Sequence, residues 1–160
     1  MAEIQFTEEL KKIRKILVIG PAWIGDMMMA HTLFQLLKQR NPNVQIDVLA
    51  SGWTRQLLIR MPEVHQAIDM PIGHGSLAFA ERRAQGKELA LHHYDQAILL
   101  PNSFKSAFIP FFANIPLRTG WRGEMRYGLL NDIRVRDKKR FPLMVQRYAA
   151  LALPKNTEPL

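Results

Sequence analysis

An α/β fold built on a parallel, doubly wound sheet is what this sequence predicts, and three observations predict it. Short apolar runs alternate with helix-length segments through residues 15–101. The runs are apolar at successive positions rather than at every second one, the pattern of strands covered on both faces. The segments between them repeat apolar residues at three and four positions, as helices laid on a sheet do. With 160 residues, the chain is long enough for one domain with its own core.

Taken in order, "KILVIG" (residues 15–20) is the first strand, ending at a glycine turn. "DMMMAHTLFQLLKQRN" (26–41) follows as the first long helix. "VQIDVLA" (44–50) is the second strand and "TRQLLIRM" (54–61) the second helix. "QAIDM" (66–70) is the third strand, "SLAFAERRAQGKELALHH" (76–93) the third helix and "DQAILLP" (95–101) the fourth strand. Gly, Pro and other turn residues punctuate these runs. Beyond Pro101, "SFKSAFIPFFANI" is helical up to Pro110, which breaks or restarts the helix. "LRTGW" (117–121) is a short further strand and "FPLMVQRYAALAL" (141–153) a closing helix, before "PKNTEPL" reads as the start of a linker.

Composition narrows the function classes. The chain has no cysteine, which excludes a disulfide framework and a thiolate metal site and agrees with a reducing, cytoplasmic setting. Hydrophobic residues make up 48% and charged residues 22%, so the chain is not of the disordered class. A net charge of +8 calls for an anionic partner: nucleic acid, an acidic membrane surface or a phosphorylated substrate. The N-terminal "MAEIQFTEELKKIRK" lacks the apolar centre of a signal peptide, and no stretch of 18 apolar residues occurs, so neither secretion by that route nor a membrane span is expected.

The motif that carries chemistry is "GPAWIGDMMMA" (20–30). Strand, glycine turn and helix in G-x-x-x-x-G spacing imitate a phosphate loop, but Asp26 stands where such a loop needs Lys. In open α/β sheets ligands bind beyond the carboxyl ends of the strands, so this turn occupies the ligand edge. Asp26 could be a helix-start acid, stabilised by ~0.3–1 kcal/mol through the helix dipole. A phosphoacceptor role needs a cluster of acids that the other strand ends do not supply. With Trp23 and Ile24 before it and "MMMA" after it, the carboxylate fits a partly dry cleft, where it can accept a proton from a neutral hydroxyl.

Three further groups draw attention. "PNSFKSAF" (101–108) leaves the fourth strand through Asn102 and Ser103, both good helix caps, and sets Lys105 in the next first turn, where a cation is locally unfavourable without an anionic ligand. Residues 118–140 carry eight basic residues against three acids; Arg118, Arg122 and Arg126 recur at four, interleaved with Trp121 and Tyr127. Guanidinium forks beside aromatic faces suit carboxylates, phosphates and sugars. No nucleic-acid motif accompanies them. His74 between two glycines and the adjacent His92 and His93 lack a third ligand at metal spacing, so their structural reading is favoured.

Together, "KILVIGPAWIGDMMMA", "MPEV…MPIGHG", "LPNSFKSAFIPFFANIPLRTGWRGEMRYGLLNDIRV" and "LMVQRY" closely resemble the N-terminal half of the ADP-heptose-dependent lipopolysaccharide heptosyltransferases of glycosyltransferase family 9, in particular those that add the second heptose. The resemblance covers residues 15–153 and implies a GT-B enzyme. Residues 1–14 would be an N-terminal extension, 15–153 a Rossmann-like acceptor-binding domain and 154–160 the start of an interdomain linker, with the C-terminal nucleotide-sugar domain absent. By that resemblance Asp26, in the G-D pair after strand one, is the general base of an inverting transfer of heptose from ADP-heptose to heptose I of the inner core. Trp23, Asn102, Ser103, Lys105, Arg118, Arg122 and Arg126 become candidates for binding an acceptor rich in Kdo carboxylates and phosphates. No metal and no cofactor beyond the donor substrate is expected, nor nucleic acid as partner. The expected location is cytoplasmic, with peripheral contact at the inner membrane, and the isolated chain is expected to be inactive. The competing expectation is a non-catalytic basic Rossmann-like module for nucleic acid or anionic lipid.

Overall fold

The computed structural model describes residues 13–21, 24–50, 52–69, 79–101, 105–121, 129–134 and 143–152. Among the described residues six strands form one sheet: β1 (Lys15–Ile19), β2 (Gln45–Ala50), β3 (Val64–Asp69), β4 (Gln96–Leu99), β5 (Leu117–Trp121) and β6 (Asp132–Arg134). Their order is β3-β2-β1-β4-β5-β6, with every pairing parallel. This is the doubly wound arrangement, whose order reverses between β1 and β4.

The helices are α1 (Ile24–Arg40), α2 (Gly52–Ile59), α3 (Phe79–Leu89), α4 (Phe108–Phe112) and α5 (Met144–Ala150). Alternation along the central strands divides the core in two. Ile16 and Val18 of β1 pack with Ile46, Val48 and Ile98 under α1, α2 and α5. Leu17 and Ile19 face the other way, with Leu49, Ala97 and Leu99, toward α3 and α4. The continuous apolar runs are thus explained: both parities of residue are buried. On α1 the buried residues Met27, Ala30, Leu33, Phe34 and Leu37 recur at three and four and form its sheet-facing stripe.

The boundaries depart from the sequence reading in instructive ways. α3 ends earlier than the predicted helix and passes into a 3-10 turn (Ala90–His92), closed by His93 in the left-handed conformation at φ 56°. Pro110 does not break α4. It sits at that helix's third residue, where no intrahelical partner awaits an N–H. β5 has the predicted span, whereas β6 was not predicted. Its three half-buried residues lie inside the basic stretch and are too few to show a period.

Polar contacts tie the connections down. The amide of Gly20 donates to Leu49 O (2.9 Å), and that of Leu100 to Ile19 O (3.1 Å), so the ends of β1, β2 and β4 are laced together just below the ligand edge. At the opposite edge, Asp95 Oδ2 accepts from the amides of Arg14 (2.9 Å) and Lys15 (3.0 Å).

Candidate active site

Asp26 lies in the first turn of α1 immediately beyond the carboxyl end of β1, and it is half-buried. The turn leading to it is tight. A Cβ on Gly20 would stand 2.6 Å from Met27 Cε and 3.2 Å from Leu49 O, so the absence of a side chain lets α1 start close over the sheet. Met27, next to Asp26, is fully buried and fixes the rotation of the first turn. The carboxylate is thereby set on the flank of α1, at the ligand edge beside the reversal point.

α5 packs alongside α1 and brings Tyr148 to that flank. Burial, and then the nearby Asp26 charge, push the Tyr148 phenol up to about 12. It therefore stays neutral at physiological pH, beside a group that carries the negative charge. Nothing in "VQRYAALA" marked Tyr148 out; its relation to Asp26 arises from the packing of two helices far apart in sequence.

The position of α5 is well secured. Trp121, buried at the carboxyl end of β5, donates through Nε1 to Arg147 O (3.0 Å). Arg134 on β6 donates to Ala150 O (3.3 Å) and grips Asp132 through Nε to Oδ1 and Nη2 to Oδ2, both at 3.0 Å. Asp132 Oδ2 in turn accepts from Thr119 Oγ1 (2.9 Å), which accepts from Gln96 Nε2 (3.0 Å). A chain of polar side chains across β4, β5 and β6 thus ends on the helix that carries Tyr148.

The other predicted site residues fare differently. Lys105 opens the 3-10 turn Lys105–Ala107 beyond β4, across the reversal point from Asp26; its side chain lies outside the described part of the structure. Trp23, Asn102, Ser103, Arg122 and Arg126 also lie outside the described residues. Arg118 is the one acceptor candidate of the basic stretch that lies among the described residues. It is the second residue of β5, on the face turned to α4, with its guanidinium donating to Ile115 O (2.8 Å) and Leu129 O and lying 5.5 Å from the Phe111 ring centre. That is the sheet face opposite α1, toward the start of the strand. Its geometry assigns it to holding the loops around β5, and burial lowers its pKa from the usual arginine value.

Among the described residues, no three His, Cys, Asp or Glu side chains gather as metal ligands. His31 pairs with Glu63 (2.7 Å), and His92 stacks on Tyr94 with ring centres 5.7 Å apart. No described helix is long and apolar enough to cross a membrane.

With this geometry in place, comparison with known proteins is decisive about ancestry. Residues 82–158 match the model of glycosyltransferase family 9 (heptosyltransferase). Lipopolysaccharide heptosyltransferase 2 of Salmonella typhimurium is 65% identical over 141 residues, which is 88% of this chain and 40% of that protein. The Escherichia coli protein of the same name is 63% identical over 141 residues, again 88% of this chain and 40% of the relative. The structure of E. coli ADP-heptose lps heptosyltransferase II superposes with a TM-score of 0.80 at 59% identity, covering 89% of this chain and 41% of that one. The chain spans about two fifths of the length of these relatives. Nothing in the fold or in these comparisons favours the alternative of a nucleic-acid or lipid module. The chain is, in sequence and in fold, the counterpart of the N-terminal part of a family 9 heptosyltransferase.

Proposed function

We propose that this chain is the acceptor-binding, base-bearing portion of an inverting heptosyltransferase that moves heptose from ADP-heptose to heptose I of the lipopolysaccharide inner core. The observation that carries this reading is the placement of Asp26: a half-buried carboxylate at the sheet's ligand edge, beside a neutral phenol. An ionised carboxylate there repels a phosphate but accepts a proton from a hydroxyl. As the acceptor oxygen bonds to the anomeric carbon, its proton passes to Asp26. The bond from that carbon to the phosphate oxygen breaks, and its electron pair leaves with ADP. The reaction needs no metal or other cofactor in this scheme. Lys105, at the facing strand end, is the described position best placed to meet an anionic acceptor. The nucleotide sugar would be held by the length of the relatives that this chain does not span. The net charge of +8 suits an acceptor at an anionic cytoplasmic membrane face, approached peripherally.

Two measurements test this. Calorimetric titration of the 160-residue chain with a heptose-I-terminated acceptor is expected to show binding, and titration with ADP is not; ADP binding without acceptor binding would assign the turn after β1 to the nucleotide. In a chimera where this chain replaces the matching part of the Salmonella relative, Asp26→Asn is expected to lower kcat by about 100-fold or more, the scale of general-base catalysis, with the fold unchanged by circular dichroism. Near-normal turnover would remove Asp26 from the base role.

A further inference from the structure

The motif contains two glycines, and the structure explains only the first. Gly20 is required by close packing, as its Cβ would meet Met27 and the Leu49 carbonyl. Among the described residues Gly25 has no such cause: a Cβ there would meet nothing within 4 Å, and its backbone is ordinary helix, not the left-handed region that favours glycine. It is the lone glycine of α1, at a position where alanine would suit the helix better by up to ~1 kcal/mol. Neither fold nor packing calls for it.

Its surroundings supply a reason. At about 100° per residue, Gly25 separates Asp26, on one side of the helix, from Ile24 and Met28, which lie one turn apart on the other. Those two are large apolar side chains left 50% and 59% exposed, on a helix whose other large apolar side chains are buried or half-buried. The first turn of α1 therefore presents a carboxylate, a bare strip of backbone and an apolar pair, side by side at the ligand edge. A pyranose ring has matching parts: hydroxyls on its rim and an apolar C–H face.

The geometry points to Gly25 as a specificity-determining position, the floor over which the acceptor's terminal sugar ring lies, with a hydroxyl toward Asp26 and its C–H face on Ile24 and Met28. This rests on the heptosyltransferase reading and deepens it. A side chain at position 25 would fill the space that the ring occupies and lift its hydroxyl from the carboxylate. Binding of the nucleotide sugar donor would be untouched.

The test uses Gly25→Ala and Gly25→Leu, both good helix formers of increasing size, with Met28→Ser and Asp26→Asn, in the chimera and in the 160-residue chain. Thermal unfolding of the Gly25 variants is expected to occur at or above the wild-type temperature. Acceptor KM is expected to rise about tenfold for Gly25→Ala, the cost of one misplaced methyl in a fitted site, and further for Gly25→Leu. Met28→Ser is expected to raise acceptor KM several-fold, and none of the three to change donor KM. Wild-type acceptor KM in Gly25→Leu would overturn the inference, as would a rise in donor KM alone. The two readings fail separately: loss of turnover in Asp26→Asn with neutral Gly25 variants removes only the ring position, whereas normal turnover in Asp26→Asn removes the base and the ring position with it.

Discussion

Removing one hydroxyl from Tyr94 should unsettle the core far more than the change in size suggests. Asp47 on β2 is fully buried, and Tyr94 Oη donates to its Oδ2 at 2.6 Å from a side chain that is itself buried. The remaining donors are weaker or wetter: Gln45 Nε2 at 3.4 Å, and Nδ1 of the more exposed His65 at 3.1 Å to Oδ1. Burial, then the hydrogen bond to Asp47 and its charge, hold the phenol far above its usual pKa, so it remains a donor throughout the pH range of interest. Tyr94→Phe keeps the ring beneath Lys15 Nζ (5.3 Å) and against His92 and deletes only the donor. A hydrogen bond to a charged group contributes ~1.5–3 kcal/mol. Because two donors stay, the expected loss is about 2 kcal/mol, which for a chain of this size lowers Tm by roughly 4–8 °C. Urea unfolding of the 160-residue chain should show a midpoint about 1 M lower. In an Asp47→Asn background the same substitution should cost markedly less, giving a coupling energy of about 1 kcal/mol. A Tyr94→Phe loss below about 0.5 kcal/mol, the range of ordinary surface changes, would refute the claim that this carboxylate depends on its phenol.

Two further outcomes follow from the same structure. The Tyr148 phenol is raised to about 12 from an unfolded value near 10, so the folded state holds its proton longer; this contribution is complete below about pH 10 and is lost as pH climbs toward 12, at up to ~1.4 kcal/mol per pH unit. Tyr148→Phe should therefore show a shallower alkaline decline in stability than the wild type, and identical slopes would refute the burial of this phenol beside Asp26. Arg118→Met should cost about 2 kcal/mol in urea unfolding, since it strips charge-assisted donors from the carbonyls of Ile115 and Leu129, while acceptor affinity in calorimetry stays unchanged; weakened acceptor binding with unaltered stability would return Arg118 to the acceptor site.

The division between sequence and tertiary structure follows from the range of the interactions involved. Much that neighbours along the chain decide could be read directly: the doubly covered central strands, the apolar stripe of α1, and the strand-turn-helix connection that puts Asp26 at the ligand edge. The span of β5 was also evident, but its facing was not. A strand's alternation says that Arg118 and Trp121 point to opposite sides, and only the layers above and below decide which side meets α1 and which meets α4. The extended backbone at Arg118 is the strand that "LRTGW" predicted, but which layer its guanidinium meets is decided by packing. Tyr148 beside Asp26, the Asp47–Tyr94 bond across 47 residues and the clamp of Arg134 on α5 each join segments that no local pattern relates. Those contacts exist because burying both faces of the sheet forces distant helices together, and the site's electrostatics are a product of that packing.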